Sequence, residues 1–428
     1  MNNAPRIYNL FPLLVGQVSR WETHLARIAA MGFNWVFVNP FHCPGFSGSL
    51  YAVKDYYSLH PLFRGDSDKS DDEILRHFLK SAAKHGLRVM MDLVINHTAK
   101  DSVLTQTHPE WFAHENDGTI RSPFAADPDE PDNVAKRTVW GDLAEIDFEH
   151  SPDRQGLVRY WQDLVHHYTR IGFAGFRGDA AYKVPGEVWG EVIGAAREAA
   201  PGAYFFAESL GCQPKDVAQL NTAGFDYLFN SSKWWDFRAD WLLEQYETFR
   251  HIAPSIAFPE SHDTERVAAD SGGDERVSRM CYLFAAAYSS GLMMPIGYEY
   301  GFRRKPHVVE SRPEDWEPVH FDLTDFISRV NRMKASTPVL NEEGPQRRIT
   351  PAGDPVVALL REGETVPGRV LTLINPDPRT RHRFSATESA GILGCVPERM
   401  RELMADSVTG EWIDLPPLSI RLLTPTDA

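Results

Sequence analysis

Cysteine is scarce in this 428-residue chain: Cys43, Cys212, Cys281 and Cys395 are scattered, and no CxxC pair occurs. That spacing gives no support to a zinc site and reads as reduced, buried thiols. Long hydrophobic runs are missing too. No stretch of about 18 apolar residues is present, so no membrane-spanning helix is expected. The opening "MNNAPRIYNLFPLLVGQVSRW" shows no secretory cleavage pattern. Positive charge is in short supply, with 44 Lys and Arg against 59 Asp and Glu, a net charge of −15. Such a surface repels phosphate backbones and argues against nucleic-acid binding. Repeats, low-complexity linkers and heptad seams are also lacking. The expectation is a cytoplasmic protein with a neutral substrate and neither membrane nor nucleic-acid partner; its oligomeric state is left open.

What is present is an ordinary globular balance, 43% hydrophobic and 24% charged, in a chain long enough for one large domain and a smaller one. Short apolar runs predict eight strands: 7–13, 35–40, 88–94, 173–178, 204–209, 225–229, 255–260 and 292–297. Amphipathic stretches such as "DEILRHFLKSAAKHG" and "QGLVRYWQDLVHHYTRIG" fall between most of them, and several stop at Gly. Eight strands alternating with helices spell a (β/α)8 barrel, here over residues 1–97 and 151–337. Residues 98–150 lack a clear helix and read as a long functional loop or small inserted subdomain. From 338 to 428, short alternating runs between turns predict a C-terminal all-β sandwich.

Functional groups in such barrels sit at the C-terminal ends of the strands. There the third strand ends in Asp92, followed by Asn96 and His97; the fourth in Arg177 and Asp179; the fifth in Glu208; and the seventh in "PESHD", with His262 and Asp263. Crowded carboxylates repel, so one must hold a proton near neutrality while one paired with a cation stays ionised. Asp179, two residues from Arg177, is the expected anion, and Glu208, with no cation nearby in sequence, the expected acid. A nucleophilic carboxylate plus a protonated one is the equipment of a retaining glycosidase.

The motifs "DLVINH", "GFRGDAA", "FFAES" and "ESHD" resemble, in order and spacing, the four conserved regions of the α-amylase superfamily, glycoside hydrolase family 13. The resemblance covers about residues 7–335. It implies Asp179 as nucleophile, Glu208 as acid/base and Asp263 as the third, transition-state-stabilising carboxylate. It further implies that Arg177 orients the nucleophile and that His97 and His262 bind sugar hydroxyls. Tyr51 would stack on the reacting ring, and Asp92 would be the electrostatic partner. Lys183 is a candidate for a sugar hydroxyl beyond the cleavage point. No cofactor is required, although Asn96 and Asp142 are candidate ligands for a structural calcium. Trp234 and Trp235 are read equally as sugar platforms or loop anchors. The stretch "THPEWFAHENDGTI" is similar to a segment of maltosyltransferases that extend α-glucan from maltose 1-phosphate. Ser261 stands where Asn is commoner in the hydrolases.

The leading reading is a retaining α-glycosidase on short α-1,4-glucans. The alternatives are an α-glucan maltosyltransferase or transglycosidase and, from another class, a non-catalytic glucan-binding member. All three take an α-linked oligosaccharide.

Overall fold

The computed structural model describes residues 4–125, 130, 133–405 and 410–426. Eight parallel strands close a barrel: β1 (Arg6–Leu10), β2 (Trp35–Val38), β3 (Arg88–Leu93), β4 (Gly175–Gly178), β5 (Tyr204–Glu208), β6 (Tyr227–Ser231), β7 (Ser255–Ala257) and β8 (Gly291–Pro295). Each falls within or beside its expected run. Pairing of Ile7 with Trp35 joins β1 to β2, and pairing of Arg6 with Leu292 closes the ring.

The two-residue period of a strand divides its side chains between two environments. Ile7, Trp35, Phe37, Met90, Phe206, Phe229, Ile256 and Met293 pack together inside the barrel. Their neighbours Tyr8, Val36, Val38, Val89 and Met91 belong to the larger core beneath the surrounding helices. Both faces are therefore dry, which is why these strands read as continuous apolar runs.

The helices follow their sequence signals. Asp71–Lys84 begins with a capping box between Ser70 and Glu73, so the acidic run before it supplies cap and first-turn charges. Arg154–Ile171 is capped by Asp153 and ends at Gly172, whose φ of 124° suits glycine. Val18–Ala30, Gly186–Ala199 and Glu275–Tyr288 fall on the amphipathic stretches "ETHLARIAAM", "GEVWGEVIGAAREAA" and "DERVSRMCYLFAAAYSSG". Trp241–Arg250 and Thr324–Ser336 complete the ring, while the β5–β6 connection holds only the short Pro214–Ala218 helix and a 3-10 turn.

After β3, His97–Ala99 pairs with Leu143–Glu145, and a short hairpin joins Phe124–Ala125 to Thr138–Val139. The C-terminal segment forms a five-stranded antiparallel sheet in the order Gln346–Arg348, Val357–Glu362, Arg369–Asn375, Ser419–Pro425, Met400–Glu402. A separate pair joins His382–Ser385 to Trp412–Leu415. The all-β expectation misses one helix there, Ala386–Leu393, which starts at a Ser385 cap bonded to the Glu388 N–H. One face of the sheet (Val357, Leu359, Ile374, Leu422) joins the barrel's outer core, and the other (Ala358, Leu360, Leu371, Leu373) makes its own core with Phe384 and Leu393.

A buried cationic joint ties the two parts. Lys334 donates from Nζ to the carbonyls of Ala286, Ser289 and Leu340 at 2.6–2.8 Å. Arg361, from the sheet, donates to Ala287 and Tyr288 at 3.2 and 2.6 Å. Together with Gln346, which donates to the Tyr288 carbonyl at 2.8 Å, they cap the C-terminus of helix Glu275–Tyr288, whose last carbonyls have no partner within the helix.

Candidate active site

The C-terminal rim of the barrel gathers the charged residues. Arg177, at the end of β4, donates from Nη1 to both oxygens of Asp92 at 2.7 and 2.8 Å and lies 3.2 Å from Asp179 Oδ1. Burial opposes the Arg177 charge, but Asp92, Tyr51 and Asp179 hold its pKa well above the ordinary value. Asp92 is fully buried, and that burial outweighs Arg177, raising its carboxyl to about 6. Gly178 separates Arg177 from Asp179 because a Cβ there would come within 2.7 Å of the Trp189 indole. The strand therefore keeps its barrel contact while its tip carries the ion pair.

Glu208 ends β5 and accepts hydrogen bonds from the Ala180 and Leu210 amides at 3.0 and 2.8 Å. Ala180 reaches that position in the left-handed region, with φ 40° and ψ 51°, a conformation costly for a residue with a Cβ. Burial pushes Glu208 up to about 7; Arg177 pulls against it, while Asp179 and Asp263 add repulsion. Asp263 follows β7 in a tight turn where the Ser261 hydroxyl accepts from the Asp263 amide at 3.1 Å and the Thr264 hydroxyl from the Ser261 amide at 3.0 Å. The Asp263 side chain is 67% exposed, so the burial that would raise it is weak, and His262, 3.0 Å away, brings it down to about 2 with help from Arg177 and Lys305. The carboxyls are thus separated into acid and anion by their surroundings.

Tyr51 donates to Asp92 Oδ2 at 2.7 Å, and its oxygen lies 2.8 Å from His262 Nε2; the two rings run parallel with centroids 5.5 Å apart. His97 is buried between the Tyr51 carbonyl, 3.1 Å from its Nε2, and Asn96 Oδ1, and burial lowers its pKa. Asn96 donates to the Asp179 carbonyl at 2.9 Å. Tyr56 is structural, its hydroxyl bonded to the carbonyls of Val94 and His97.

The Asn96 amide is committed to Asp179 and His97, and Asp142 contributes a carbonyl to the Lys100 amide. Among the described residues no group of three or more His, Cys, Asp or Glu could hold a metal ion.

A cavity of about 300 Å³ opens over Glu208, His262 and Asp263, with Phe37, Phe258 and Met293 among its walls. Gly211 also borders a second cavity of about 530 Å³, lined by Asn96, Phe124, Tyr182, Lys183 and Lys215. Lys183 faces that second cavity. Its ammonium donates to the Phe124 carbonyl at 3.0 Å and sits 4.6 Å from the Trp140 ring, and burial lowers its pKa. The tryptophan pair divides: Trp235 is buried and bonded to Ser231, whereas Trp234 is 63% exposed and lines the first cavity. Asn9 and Asn39, fully buried behind Tyr51 and His262, were absent from the sequence-derived set. The available signal was an amide within the first apolar run and another directly after the second.

A closed (β/α)8 barrel with this rim has the architecture of the α-amylase superfamily. A maltogenic α-amylase from Thermotoga neapolitana superposes with a TM-score of 0.74 at 20% identity, covering 100% of both chains. A Bacillus licheniformis trehalose-6-phosphate hydrolase gives 0.76 at 13%, covering 99% of both. The glucanotransferase domain of glycogen debranching enzyme, as a family, matches residues 3–123. In sequence the chain is similar to α-1,4-glucan:maltose-1-phosphate maltosyltransferases. The Burkholderia pseudomallei protein is 28% identical over 388 residues, which span 87% of this chain and 33% of that one. The Myxococcus xanthus protein is 26% identical over 423 residues, 90% of this chain and 60% of that one. The chain thus spans less than two thirds of either relative. The resemblance to the superfamily holds, and the likeness to the maltosyltransferases extends far beyond the few stretches of residues 107–189 that suggest it in the sequence.

Proposed function

We propose that the chain is a retaining α-glucan-active glycosyltransferring enzyme of the maltosyltransferase kind. This reverses the order of the two leading expectations, because the sequence relatives are maltosyltransferases while the amylase likeness is one of fold. The observation that carries the chemistry is the pairing of Asp179 with Arg177 beside a Glu208 raised to about 7.

In the first half-reaction an Asp179 oxygen attacks the anomeric carbon, the bond to the leaving oxygen breaks, and the Glu208 proton passes to that oxygen. In the second, the Glu208 carboxylate takes the proton of an acceptor hydroxyl as its oxygen attacks the same carbon and Asp179 leaves. Two inversions give net retention. Asp263 and His262, both on the cavity wall, are read as the contacts for the reacting sugar's hydroxyls and Tyr51 as the ring beside it, whereas both ring nitrogens of His97 are spent on Tyr51 and Asn96. Lys183 and the second cavity receive the leaving or accepting partner. The donor is an α-linked maltosyl unit, phosphorylated or part of a glucan, and the acceptor a 1,4-glucan. The four free cysteines support a cytoplasmic setting.

Hydrolysis is the second reading, favoured by amylase neighbours of matching length. Proton NMR of the enzyme with maltoheptaose, with and without maltose 1-phosphate, separates the two. Longer glucans and free phosphate only with the phosphorylated donor support maltosyl transfer. Chain-length redistribution without that donor means transfer from a glucan, and new α-reducing ends with water as acceptor mean hydrolysis.

A further inference from the structure

His262 is held by a chain of hydrogen bonds that starts at the barrel backbone. The Asn9 amide nitrogen on β1 lies 3.2 Å from the Phe37 carbonyl on β2 and 2.8 Å from Asn39 Oδ1. A backbone carbonyl can only accept, so the Asn9 group facing it is the NH₂. Reversing that amide would set two oxygens against each other. It would also leave the Asn9 oxygen, unpartnered in the present orientation, still opposed by an acceptor. The Asn39 atom facing the Asn9 NH₂ is therefore its oxygen. Its own NH₂ is then aimed at the Tyr51 oxygen, 3.0 Å away, and at His262 Nδ1, 3.1 Å away.

We propose that Asn39 is a positioning residue that fixes His262 as the neutral imidazole with its proton on Nε2, aimed at Asp263. Nδ1 must accept from Asn39, so the ring proton is on the other nitrogen. The far side agrees independently. Tyr51 spends its one hydroxyl proton on Asp92, so His262 Nε2, 2.8 Å from the Tyr51 oxygen and 3.0 Å from Asp263 Oδ2, has to donate. Both asparagines are fully buried, and an amide turned the wrong way there would leave several groups unpaired.

The other groups facing the ring are Phe11, stacked at 6.4 Å, and Asp92 and Arg177 behind Tyr51; Glu208 shares the cavity, and Lys305 acts on Asp263. The carboxylates lie on the Nε2 side of the ring, and Asn39 fills Nδ1 with a donor on the other. A neutral donor keeps Asp263 an oriented anion without adding a second titrating proton beside Glu208. The catalytic meaning of this arrangement rests on the function proposed above; the tautomer itself does not.

The test is ¹⁵N–¹H spectroscopy of the full chain labelled at histidine, with the His262 signals assigned by their loss in His262→Gln. The wild type, neutral at His262, should show Nε2–H and an unprotonated Nδ1. Asn39→Asp should convert His262 to the doubly protonated form at neutral pH, and Asn9→Leu, which frees the Asn39 amide to rotate, should give a tautomer mixture. Asn39→Asp should also lower kcat/KM about tenfold and shift the pH profile. An Nδ1–H tautomer or an imidazolium in the neutral wild type overturns the proposal. So does a His262 spectrum unchanged in both variants. If Asn39→Asp does not fold, the wild type and Asn9→Leu decide. These spectra need no substrate, so an inactive enzyme with the stated tautomer would count against the proposed function alone.

Discussion

Two buried charge clusters in this molecule are built in opposite ways. At the joint between barrel and C-terminal sheet, Lys334 and Arg361 are basic groups surrounded by acceptors, most of them backbone carbonyls at a helix end; burial and the neighbouring guanidinium pull Lys334 well below its ordinary pKa, while its three acceptors call for all three ammonium protons. At the rim, Asp92, Asp179, Glu208 and Asp263 share one buried guanidinium, Arg177. The joint satisfies its charges and so contributes to cohesion. The rim has more carboxyls than its cation can neutralise, and the excess leaves one of them holding a proton near neutrality. Full satisfaction gives stability; deliberate shortfall gives an acid.

That contrast can be broken at either end. Asp179→Asn should lower activity about a thousandfold or more while leaving the melting curve near wild type, checked by glucan turnover beside calorimetry. Lys334→Met should do the reverse, costing about 3 kcal/mol of stability because three carbonyls lose their donor, with kcat unchanged in enzyme that remains folded. Next is pH. Glu208 must be protonated to release the leaving group, so kcat/KM should fall about tenfold per pH unit above about 7.

The same shift has a stability consequence. An acid raised from 4.5 to about 7 by folding binds more protons folded than unfolded, so its burden on the native state is absent below about 4.5 and complete above about 7. Glu208→Gln should therefore unfold at higher denaturant than wild type at pH 8, by on the order of 1 kcal/mol, and lose that advantage at pH 4.5. Equal midpoints at both pH values would mean that the rim carries no such cost. Trp234→Ala should raise KM about fivefold with kcat little changed, since an exposed indole stacked on a sugar face contributes about 1 kcal/mol. Smallest of all, Ala180→Gly should relax the left-handed backbone and add about 0.5 kcal/mol, measured by chemical denaturation.

The barrel was legible because its strands, dry on both faces, appear as isolated apolar runs, and because helices such as Asp71–Lys84 announce their starts with caps. The carboxylates were legible because barrel function concentrates where such runs end. Asn39 was not: one amide after "WVFV" carries no sign of the histidine it meets 223 residues later. Nor could sequence divide Trp234 from Trp235, since adjacent residues differ only by which way the loop turns. The helix Ala386–Leu393 escaped notice because "ATESAGIL" is short and its apolar content is shared by the strands around it. The choice between transfer and hydrolysis depends on which acceptor reaches the glycosyl-enzyme, a competition that conserved-looking motifs do not encode.

The capping of helix Glu275–Tyr288 also bears on how the molecule is made. Its end is fastened by Lys334, within the last barrel helix, and by Arg361, in the C-terminal sheet, so both fastenings are synthesised after the eighth strand and the second of them after the whole barrel. Until then the helix terminus is open, and the barrel's final wall lacks its anchor. The C-terminal sheet is thus a finishing piece of the barrel: in a nascent chain that stops short of Gln346 and Arg361, the Ala287 and Tyr288 carbonyls have yet to meet these donors.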